Sequence, residues 1–319
     1  MKLLAWGRLL RLSLAPSAAA DVLCGSTLAY GGSLHWTSAT TRLVAASLCV
    51  YHGGMALNDW ADREHDRATR PDRPLPSGAV AASGALSLGL VLLALGPLLA
   101  WSAAPAAGYW MAGVAVLAAV YDLGGRGPWS GPLLLALCRA GNLGVGFALV
   151  SDSRWRPLGL AVGLAYGAYV FLASRLGRME DREDARPLGS RPRRLLLGCA
   201  ALLLLLPAIP PGLSRGTVEP TSWVIGAVLV VGASYGVLRT AWTRRPWTPA
   251  RVEEAMGRLL RRLLVFTAAA CMLATSWPTE VPCFPASVPA TGLPGILVGV
   301  AILAGYPAAH ALRRVFPPS

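Results

Sequence analysis

Long apolar runs alternate with short polar links along almost the whole chain. Several runs approach the ~20 residues that a helix needs to cross the hydrocarbon core of a bilayer. Gly and Pro recur inside the runs, which membrane helices tolerate because neighbouring helices satisfy the backbone groups. The pattern predicts an all-α, polytopic membrane helical bundle. Its predicted spans lie near residues 14–33, 41–60, 81–102, 105–122, 130–150, 157–178, 194–210, 222–241, 257–276 and 291–312.

Composition agrees with this interpretation. Of 319 residues, 54% are hydrophobic and 14% are charged, and the mean hydropathy is +0.51. In a soluble domain roughly a quarter of the residues are charged, so the low share of charged residues here favours a membrane protein. Residues 1–11 mix basic and apolar side chains, and we expect an interfacial lead-in to the first span rather than a cleaved signal peptide.

Basic residues predict how the bundle is oriented. With the N-terminus inside and every run spanning, most of the 29 Lys and Arg residues fall at the inside ends or within the runs. The outside links hold only Arg42, Arg154, Arg156 and Arg215. By the positive-inside rule, the sequence predicts a multi-pass protein of the cell (inner) membrane whose acidic clusters face the cytoplasm. The net charge of +13 then reflects membrane orientation, and no nucleic-acid partner is expected.

The first acidic cluster, NDWADREHD, follows the second run without a break. Asp59, Asp62 and Asp66 have i, i+3, i+7 spacing and share one helix face. Carboxylates that close repel one another unless a cation is present, and Mg²⁺ prefers carboxylate, water and phosphate oxygens. Asn58 adds an oxygen ligand or a hydrogen-bond donor, and Arg73 follows in a basic loop, as a diphosphate site requires. The alternative is a solvated helix end.

The second acidic cluster, within SRLGRMEDREDARP, follows the sixth run on the same predicted side. Asp181 and Asp184 share a face at i, i+3, and Glu180 and Asp184 share one at i, i+4. Taken alone, such interleaved charges are typical of an exposed helix with salt bridges. Both clusters end an even-numbered run and precede a basic, Pro-containing stretch. Facing each other, they would hold two metal ions on one diphosphate, and Asp184 belongs to both possible pairs.

Polar side chains also occur inside the apolar runs. Asp21 lies in the first run, and Arg139 and Asn142 lie in the fifth. Ionisable groups within a membrane segment are candidates for function. One interpretation is a buried Asp21–Arg139 pair that locks two helices. The other places both in a cavity wall, with Arg139 toward a diphosphate and Asp21 toward an acceptor.

On these residues, the sequence resembles the UbiA superfamily of intramembrane prenyltransferases. NDWADREHD fits the NDxxDxxxD motif of that family, and the stretch from Arg73 to Gly78 is similar to its Arg-Pro-Leu-Pro-Ser-Gly continuation. The stretch CRAGNLGVG most resembles the UbiA-like members of bacterial ebo gene clusters. The resemblance covers residues 5–277, which implies a nine-helix core in a domain 1–277. Residues 278–319 are predicted to add a Pro-rich link and an extra C-terminal helix.

The resemblance implies Mg²⁺-dependent transfer of an isoprenyl group from an isoprenyl diphosphate to a lipophilic or aromatic acceptor in the membrane. The implied catalytic residues are Asp59, Asp62, Asp66 and Asp184. The implied metal ligands are Asp59, Asp62, Asp66, Glu180, Asp181 and Asp184. The implied substrate-binding residues are Asn58, Arg73, Tyr121, Arg126, Arg139 and Asn142.

Two departures from the family pattern qualify the resemblance. The second family motif is commonly DxxxD, whereas the register of the second cluster is open here. The family often has Tyr-x-x-x-Lys after its fourth helix. Here Tyr121 matches the tyrosine, and Gly125 stands at the lysine position. Arg126, one residue later, is the candidate replacement.

Two other functions compete with prenyl transfer. A UbiA-fold carrier or scaffold for a lipid-linked metabolite would need no metal spacing, so the intact first motif argues against it. A CDP-alcohol phosphotransferase also uses an Asp-rich helix, but its longer Asp-Gly…Ala-Arg…Gly…Asp…Asp pattern has no match. Neither the acceptor nor the prenyl chain length leaves a short sequence motif.

Overall fold

The structure is a computed structural model that describes residues 2–150, 153, 156–179, 188–209, 219–243, 245–276 and 292–316. In the described residues, α-helices dominate and one two-stranded antiparallel ladder pairs β1 (Ser33–Leu34) with β2 (Leu293–Pro294). The helices are α1 Lys2–Leu9, α2 Ala15–Ala29, α3 Ser38–Thr69, α4 Ala82–Ala103, α5 Pro105–Asp122, α6 Ser130–Gly144, α7 Arg156–Gly177, α8 Arg191–Leu205, α9 Pro220–Ala241, α10 Pro249–Thr275 and α11 Gly295–Val315.

The predicted helical membrane bundle is confirmed. Each of the ten predicted runs coincides with one helix from α2 to α11, and α1 forms the lead-in. By length and composition, six described segments are able to cross a membrane: Leu12–Ala29, Ala82–Ala103, Ser130–Leu149, Arg156–Gly177, Pro220–Ala241 and Gly295–Val315. Large apolar side chains such as Leu98, Val116, Leu160 and Val228 are exposed, as expected for a surface that faces lipid.

Two helices are longer than the apolar runs that predicted them. The α3 helix continues to Thr69 and ends at Arg70, directly before Pro71, whose ring disfavours a helical conformation in the preceding residue. The α10 helix begins at Pro249, and its first turns are amphipathic, with Val252 and Ala255 buried. Hydropathy does not detect these extensions because they carry charged residues on their other faces.

The α2 helix is central, because α3, α6, α7, α10 and α11 all pack against it. Small residues permit this close packing. A Cβ atom added to Gly25 would lie 1.7 Å from the carbonyl oxygen of Leu143, at the end of α6. One added to Gly146 would lie 2.3 Å from the backbone nitrogen of Ser26. Any side chain at either position would therefore push α2 away from the α6 region.

Hydrogen bonds define two ends of the bundle. At one end, the backbone nitrogen of Gly295 donates to the carbonyl oxygen of Gly32 at 2.7 Å, and that of Glu219 donates to Ser276 at 2.8 Å. The other end brings together Arg11, the last turns of α3 and the end of α5. We call the end with Arg11 and the first acidic cluster the motif end. The end with Gly32 and Gly295 is the opposite end.

The α11 helix packs on α10 and α2, and β2 pairs with β1 between α2 and α3. At the motif end, the Phe316 ring lies against Gly7, where an added Cβ would lie 2.2 Å from it. The extra C-terminal helix therefore contacts the bundle at both ends. The division into domains 1–277 and 278–319 stays a prediction, and residues 277–291 lie outside the described ranges.

Candidate active site

The first acidic cluster is a helical face at the motif end. Thr37 caps the start of α3, accepting a hydrogen bond from the backbone nitrogen of Thr40 at 3.2 Å. The helix then runs unbroken through the motif. Asp59 and Asp66 are buried and Asp62 is half-buried, so the predicted solvated helix end does not describe them. Buried carboxylates require cationic or hydrogen-bonding partners.

Each of the three carboxylates meets an arginine from a different part of the chain. Arg73 Nη1 lies 2.6 Å from Asp66 Oδ2, within the loop that follows α3. Arg126, between α5 and α6, bonds Asp62 Oδ1. Arg11, after α1, places Nη2 at 3.2 Å from Asp59 Oδ1. The structure thus joins two of the three arginines predicted for the site, Arg73 and Arg126, to the motif, together with Arg11, which was not predicted.

The loop that carries Arg73 is held in a compact turn. The backbone nitrogen of Val80 donates to the carbonyl oxygen of Pro74 at 3.0 Å. Gly78 has a φ of 75°, a conformation that glycine adopts readily and other residues rarely do. The turn returns the chain to α4 and leaves the Arg73 side chain buried against the motif.

Arg126 connects the motif to the end of α5. Its Nε and Nη2 atoms donate to the carbonyl oxygens of Tyr121, at 3.3 Å, and Asp122, at 3.1 Å. Its guanidinium lies 5.3 Å from the centre of the Tyr121 ring. Burial lowers the pKa of Arg126, but the hydrogen bond and charge of Asp62 outweigh burial and raise it above its usual value. Arg126 is therefore a cation held against the motif, and its role in place of the family lysine stays a prediction.

The carboxylate oxygens of the motif differ in whether they have hydrogen-bond or ion-pair partners. Asn58 Nδ2 donates to Asp62 Oδ2 at 3.1 Å, so both oxygens of that carboxylate have partners. Asp59 Oδ2 is buried, and no described residue gives it a hydrogen bond. An anionic oxygen in that state is suited to receive a cation or a donor from a ligand.

Sequence reasoning missed Arg11 and Asp122. Arg11 has a φ of 50°, the left-handed conformation, in the turn between α1 and a short 3₁₀ segment. This turn is fixed by His52, whose Nδ1 lies 2.8 Å from the carbonyl oxygen of Leu10. Asp122 is buried at the end of α5, and its Oδ1 lies 3.6 Å from Arg126 Nη2. The sequence did contain a signal for each residue. Arg11 is a basic residue that interrupts apolar sequence, and Asp122 is a carboxylate that ends the run 105–122.

Asp21, Arg139 and Asn142 form one buried network. Asp21 Oδ1 accepts hydrogen bonds from Tyr166 at 2.6 Å and Arg139 Nη2 at 3.2 Å. Asp21 Oδ2 accepts one from Asn142 at 3.0 Å. The network ties α2 to α6 and α7, which is the predicted buried pair extended by two neutral partners.

Beside this network lies an apolar cavity of about 130 Å³ between α3, α5 and α6. Arg139 and Asn142 line its inner part, and Tyr121 and Asp122 line the part next to Arg126. Arg139 therefore belongs both to the buried pair and to the cavity wall, whereas Asp21 is fully buried behind it and does not line the cavity. The cavity leads from the charged motif toward apolar walls that include Val50, Val114 and Leu135.

Within the described ranges, no three His, Cys, Asp or Glu side chains are close enough together to hold one metal ion. The three motif carboxylates lie along two turns of α3 and contact separate arginines. Mg²⁺ uses one or two carboxylates with waters and phosphate oxygens, so the motif suits that mode of binding rather than an all-protein cage. Glu180, Asp181 and Asp184 lie outside the described residues, and their roles stay predictions.

The chain matches the family model of the UbiA prenyltransferase family over residues 18–264. It is 38% identical to the digeranylgeranylglyceryl phosphate synthase of Ignicoccus hospitalis over 117 residues, which are 37% of this chain and 36% of that protein. It is 30% identical to the Halobacterium salinarum protein of the same name over 250 residues, which are 75% of this chain and 86% of that one.

Solved structures share the fold. A UbiA homolog from Archaeoglobus fulgidus, bound to GPP and Mg²⁺, superposes with a TM-score of 0.59 at 14% sequence identity. The superposition covers 84% of this chain and 99% of that one.

Proposed function

The chain belongs to the UbiA prenyltransferase family, and on that premise we propose that it transfers an isoprenyl group from an isoprenyl diphosphate to a lipophilic or aromatic acceptor within the membrane. One observation carries the proposal. Three carboxylates on one helix face meet arginines from three other segments, next to an apolar cavity inside a membrane bundle. This arrangement joins sites for a charged diphosphate and for an apolar chain.

Mg²⁺ is the proposed cofactor, and the residues fit it. Asp59, Asp62 and Asp66 supply hard oxygen ligands, and Asp59 Oδ2 is a buried oxygen to which no described residue donates. Glu180, Asp181 and Asp184 are proposed to complete the metal site from the second cluster. When bound, Mg²⁺ neutralises negative charge on the diphosphate and so assists its departure. The homolog from Archaeoglobus fulgidus binds GPP and Mg²⁺ together, which supports this proposal.

The arginines are proposed to bind the diphosphate. Arg73 and Arg126 are in contact with motif carboxylates, so a diphosphate held at the motif would be within reach of the same guanidinium groups. Arginine binds phosphate oxygens through two parallel hydrogen bonds, which fixes the orientation of the leaving group. These bonds strengthen as charge develops on the departing diphosphate, so they favour the transition state over the bound substrate.

The cavity is proposed to hold the reacting end of the isoprenyl chain. Its apolar walls exclude water, which would otherwise capture the allylic cation left when the carbon–oxygen bond breaks. An acceptor atom in the same cavity attacks that carbon instead, and its proton is lost to a base or to water. Arg139 and Asn142, which are fixed by Asp21, are proposed to orient polar groups of the bound molecules.

We further propose that the protein lies in the cell (inner) membrane with its motif end facing the cytoplasm. Arg11, Arg73 and Arg126 lie at that end, whereas Arg42 lies at the opposite end, beside the start of α3. Such an excess of arginine is typical of cytoplasmic ends.

A transfer assay tests the proposed function. The purified full chain in detergent is incubated with Mg²⁺, isoprenyl diphosphates of several chain lengths and a membrane lipid extract, and products are followed by mass spectrometry and diphosphate release. We expect Asp62→Ala to lower turnover by a factor of about 100 or more, since one electrostatic contact to developing charge is worth that much. Glu64→Ala is the matched control, because Glu64 is an exposed residue of the same helix that pairs with the neighbouring Arg63 and Arg67.

Two outcomes would contradict the proposal. Binding of isoprenyl diphosphate without diphosphate release or any prenylated product would favour the carrier interpretation. Equal turnover in Asp62→Ala and wild type would show that the motif takes no part in the reaction.

A further inference from the structure

A second groove lies at the motif end, outside the α3 motif and the cavity. It runs between α10, α11 and the segment Ser13–Ser17. Its outer part has a volume of about 820 Å³, and a narrower inner part of about 40 Å³ continues from it. The two parts share Arg261, Tyr306, His310 and Arg313 and therefore form one continuous surface.

The outer part of the groove is basic. Arg261 and Arg313 are half-buried in its walls, and Arg314 and His310 are exposed at its mouth. No carboxylate of the residues that the structure describes lines either part. Among the described residues, none of these three arginines forms an ion pair or a side-chain hydrogen bond. This contrasts with the arginines at the acidic motif, which are held by aspartates.

The inner part of the groove is mainly apolar. Leu14, Pro16, Leu260 and Leu264 line it beneath the arginines. A ligand that fills both parts therefore has an anionic head and an apolar continuation. A free inorganic anion would use only the outer part.

The groove also lies where a membrane lipid would place its headgroup. The α11 helix is long and apolar enough to span a bilayer, and Arg313 and Arg314 occupy its last turn. Tyr306, which is 40% exposed, lies about two turns earlier. Arginine and tyrosine at a helix end are typical of the region where a membrane meets water.

From this geometry we propose that the groove binds the headgroup of an anionic phospholipid, with Arg261 and Arg313 contacting the phosphate and the apolar inner part holding the glycerol and first acyl carbons. The opposite charges of groove and headgroup support that occupant. The site is separate from the proposed reaction, and the proposal does not depend on prenyl transfer. Its whole α11 wall lies beyond residues 18–264, which match the family model.

The experiment measures lipid binding to the full chain in a neutral detergent. Native mass spectrometry follows titrations with short-chain phosphatidylglycerol and with phosphatidylcholine of the same chains, and sodium phosphate is added as a competitor. Each arginine near an anionic headgroup contributes about 1 kcal/mol, so Arg261→Gln/Arg313→Gln is expected to weaken phosphatidylglycerol binding at least about tenfold. The wild type is expected to prefer phosphatidylglycerol over phosphatidylcholine, and millimolar phosphate is expected not to displace the lipid.

The matched control is Arg191→Gln/Arg194→Gln, which removes the same charge from exposed positions in the first turn of α8. We expect it to change phosphatidylglycerol affinity by less than about twofold, because exposed charges outside the groove act only through a screened field. Thermal unfolding of each variant checks that it is folded. Arg314→Gln, an exposed single change in the groove, provides a second test and is expected to weaken binding about threefold to fivefold.

Three results would overturn the proposal. If both Arg261→Gln/Arg313→Gln and Arg314→Gln bind phosphatidylglycerol as tightly as the wild type, the groove is not the lipid-binding site. Equal affinity for phosphatidylcholine would remove the role of headgroup charge. Displacement by sodium phosphate would assign the groove to a free anion.

Discussion

At the scale of single residues, the motif is organised by charge pairing. Burying Asp59 and Asp66 is unfavourable unless cations accompany them, and Arg11 and Arg73 supply those cations from outside the helix. The i, i+3, i+7 spacing predicted the shared face correctly. It did not predict Arg11, because that contact depends on a left-handed turn whose conformation no local residue preference indicates.

The Asp21 network gives a prediction about stability. Asp21→Asn leaves Arg139 buried without a carboxylate, so we expect the free energy of unfolding to fall by about 3–5 kcal/mol. Replacing both partners by apolar residues of similar size, in Asp21→Leu/Arg139→Met, should recover most of that loss. Chemical unfolding in detergent measures both. Glu253→Gln, an exposed change in α10, is the control and should be silent.

A loss under 1 kcal/mol in Asp21→Asn would show that the Asp21–Arg139 pair does not stabilise the packing of α2 against α6. A double variant that is less stable than the single one would show that the pair does more than neutralise charge.

At the scale of elements, the sequence predicted helices well and their charged ends poorly. Ten apolar runs became ten helices because hydrocarbon allows few other backbone structures. Hydropathy missed the end of α3 and the start of α10 because their residues alternate between buried and charged faces, and only the aspartate spacing predicted that α3 continues to Asp66. Three-dimensional packing decides those ends, as the buried Asp66 and Val252 show.

The start of α9 gives a prediction about pH. The Glu219 carboxylate accepts hydrogen bonds from the backbone nitrogens of Thr221 at 2.9 Å and Ser222 at 2.8 Å. These bonds lower the pKa of Glu219 from 4.5 to about 2. Because the folded pKa lies below the unfolded one, the stabilisation is complete above pH 4.5 and is lost as the pH falls toward about 2.

We therefore expect wild type to unfold at a higher temperature than Glu219→Gln near pH 7, with the difference shrinking toward zero as the pH falls to about 2. Thermal unfolding in detergent across that range provides the measurement. Glu253→Gln again serves as the control. A difference that stays constant with pH would show that the carboxylate does not cap α9 through its charge.

At the scale of the whole molecule, the family match and the structure agree on a UbiA-type bundle with an added helix. That helix is attached at both ends, through Gly32 and Gly7, which its apolar character alone did not predict. The second acidic cluster is the part of the predicted site that stays open, because residues 180–187 lie outside the described ranges. The α7 helix itself ends on the motif side of the bundle, where Arg175 donates a hydrogen bond to the carbonyl oxygen of Pro128.

Orientation is predicted from the distribution of arginines. In a variant lacking native cysteines, Thr69→Cys at the motif end should be shielded from a membrane-impermeant thiol reagent in intact cells. Ala106→Cys, an exposed position at the opposite end, should be labelled under the same conditions. The reverse labelling pattern would contradict the proposed cytoplasmic motif end. Permeabilised cells, in which both positions should react, provide the control.

Metal-dependent binding of the diphosphate tests the central claim most directly. Calorimetry in detergent compares the affinity of a non-reacting isoprenyl thiodiphosphate in Mg²⁺ and in excess EDTA, for wild type and Glu64→Ala. If the motif aspartates hold the diphosphate through Mg²⁺, EDTA should weaken binding at least about tenfold in both proteins, since repelling carboxylates then face the anion directly. In Asp62→Ala, Mg²⁺ should raise the affinity for the thiodiphosphate much less than it does in the wild type. Equal affinity of the wild type in Mg²⁺ and in EDTA would contradict the account.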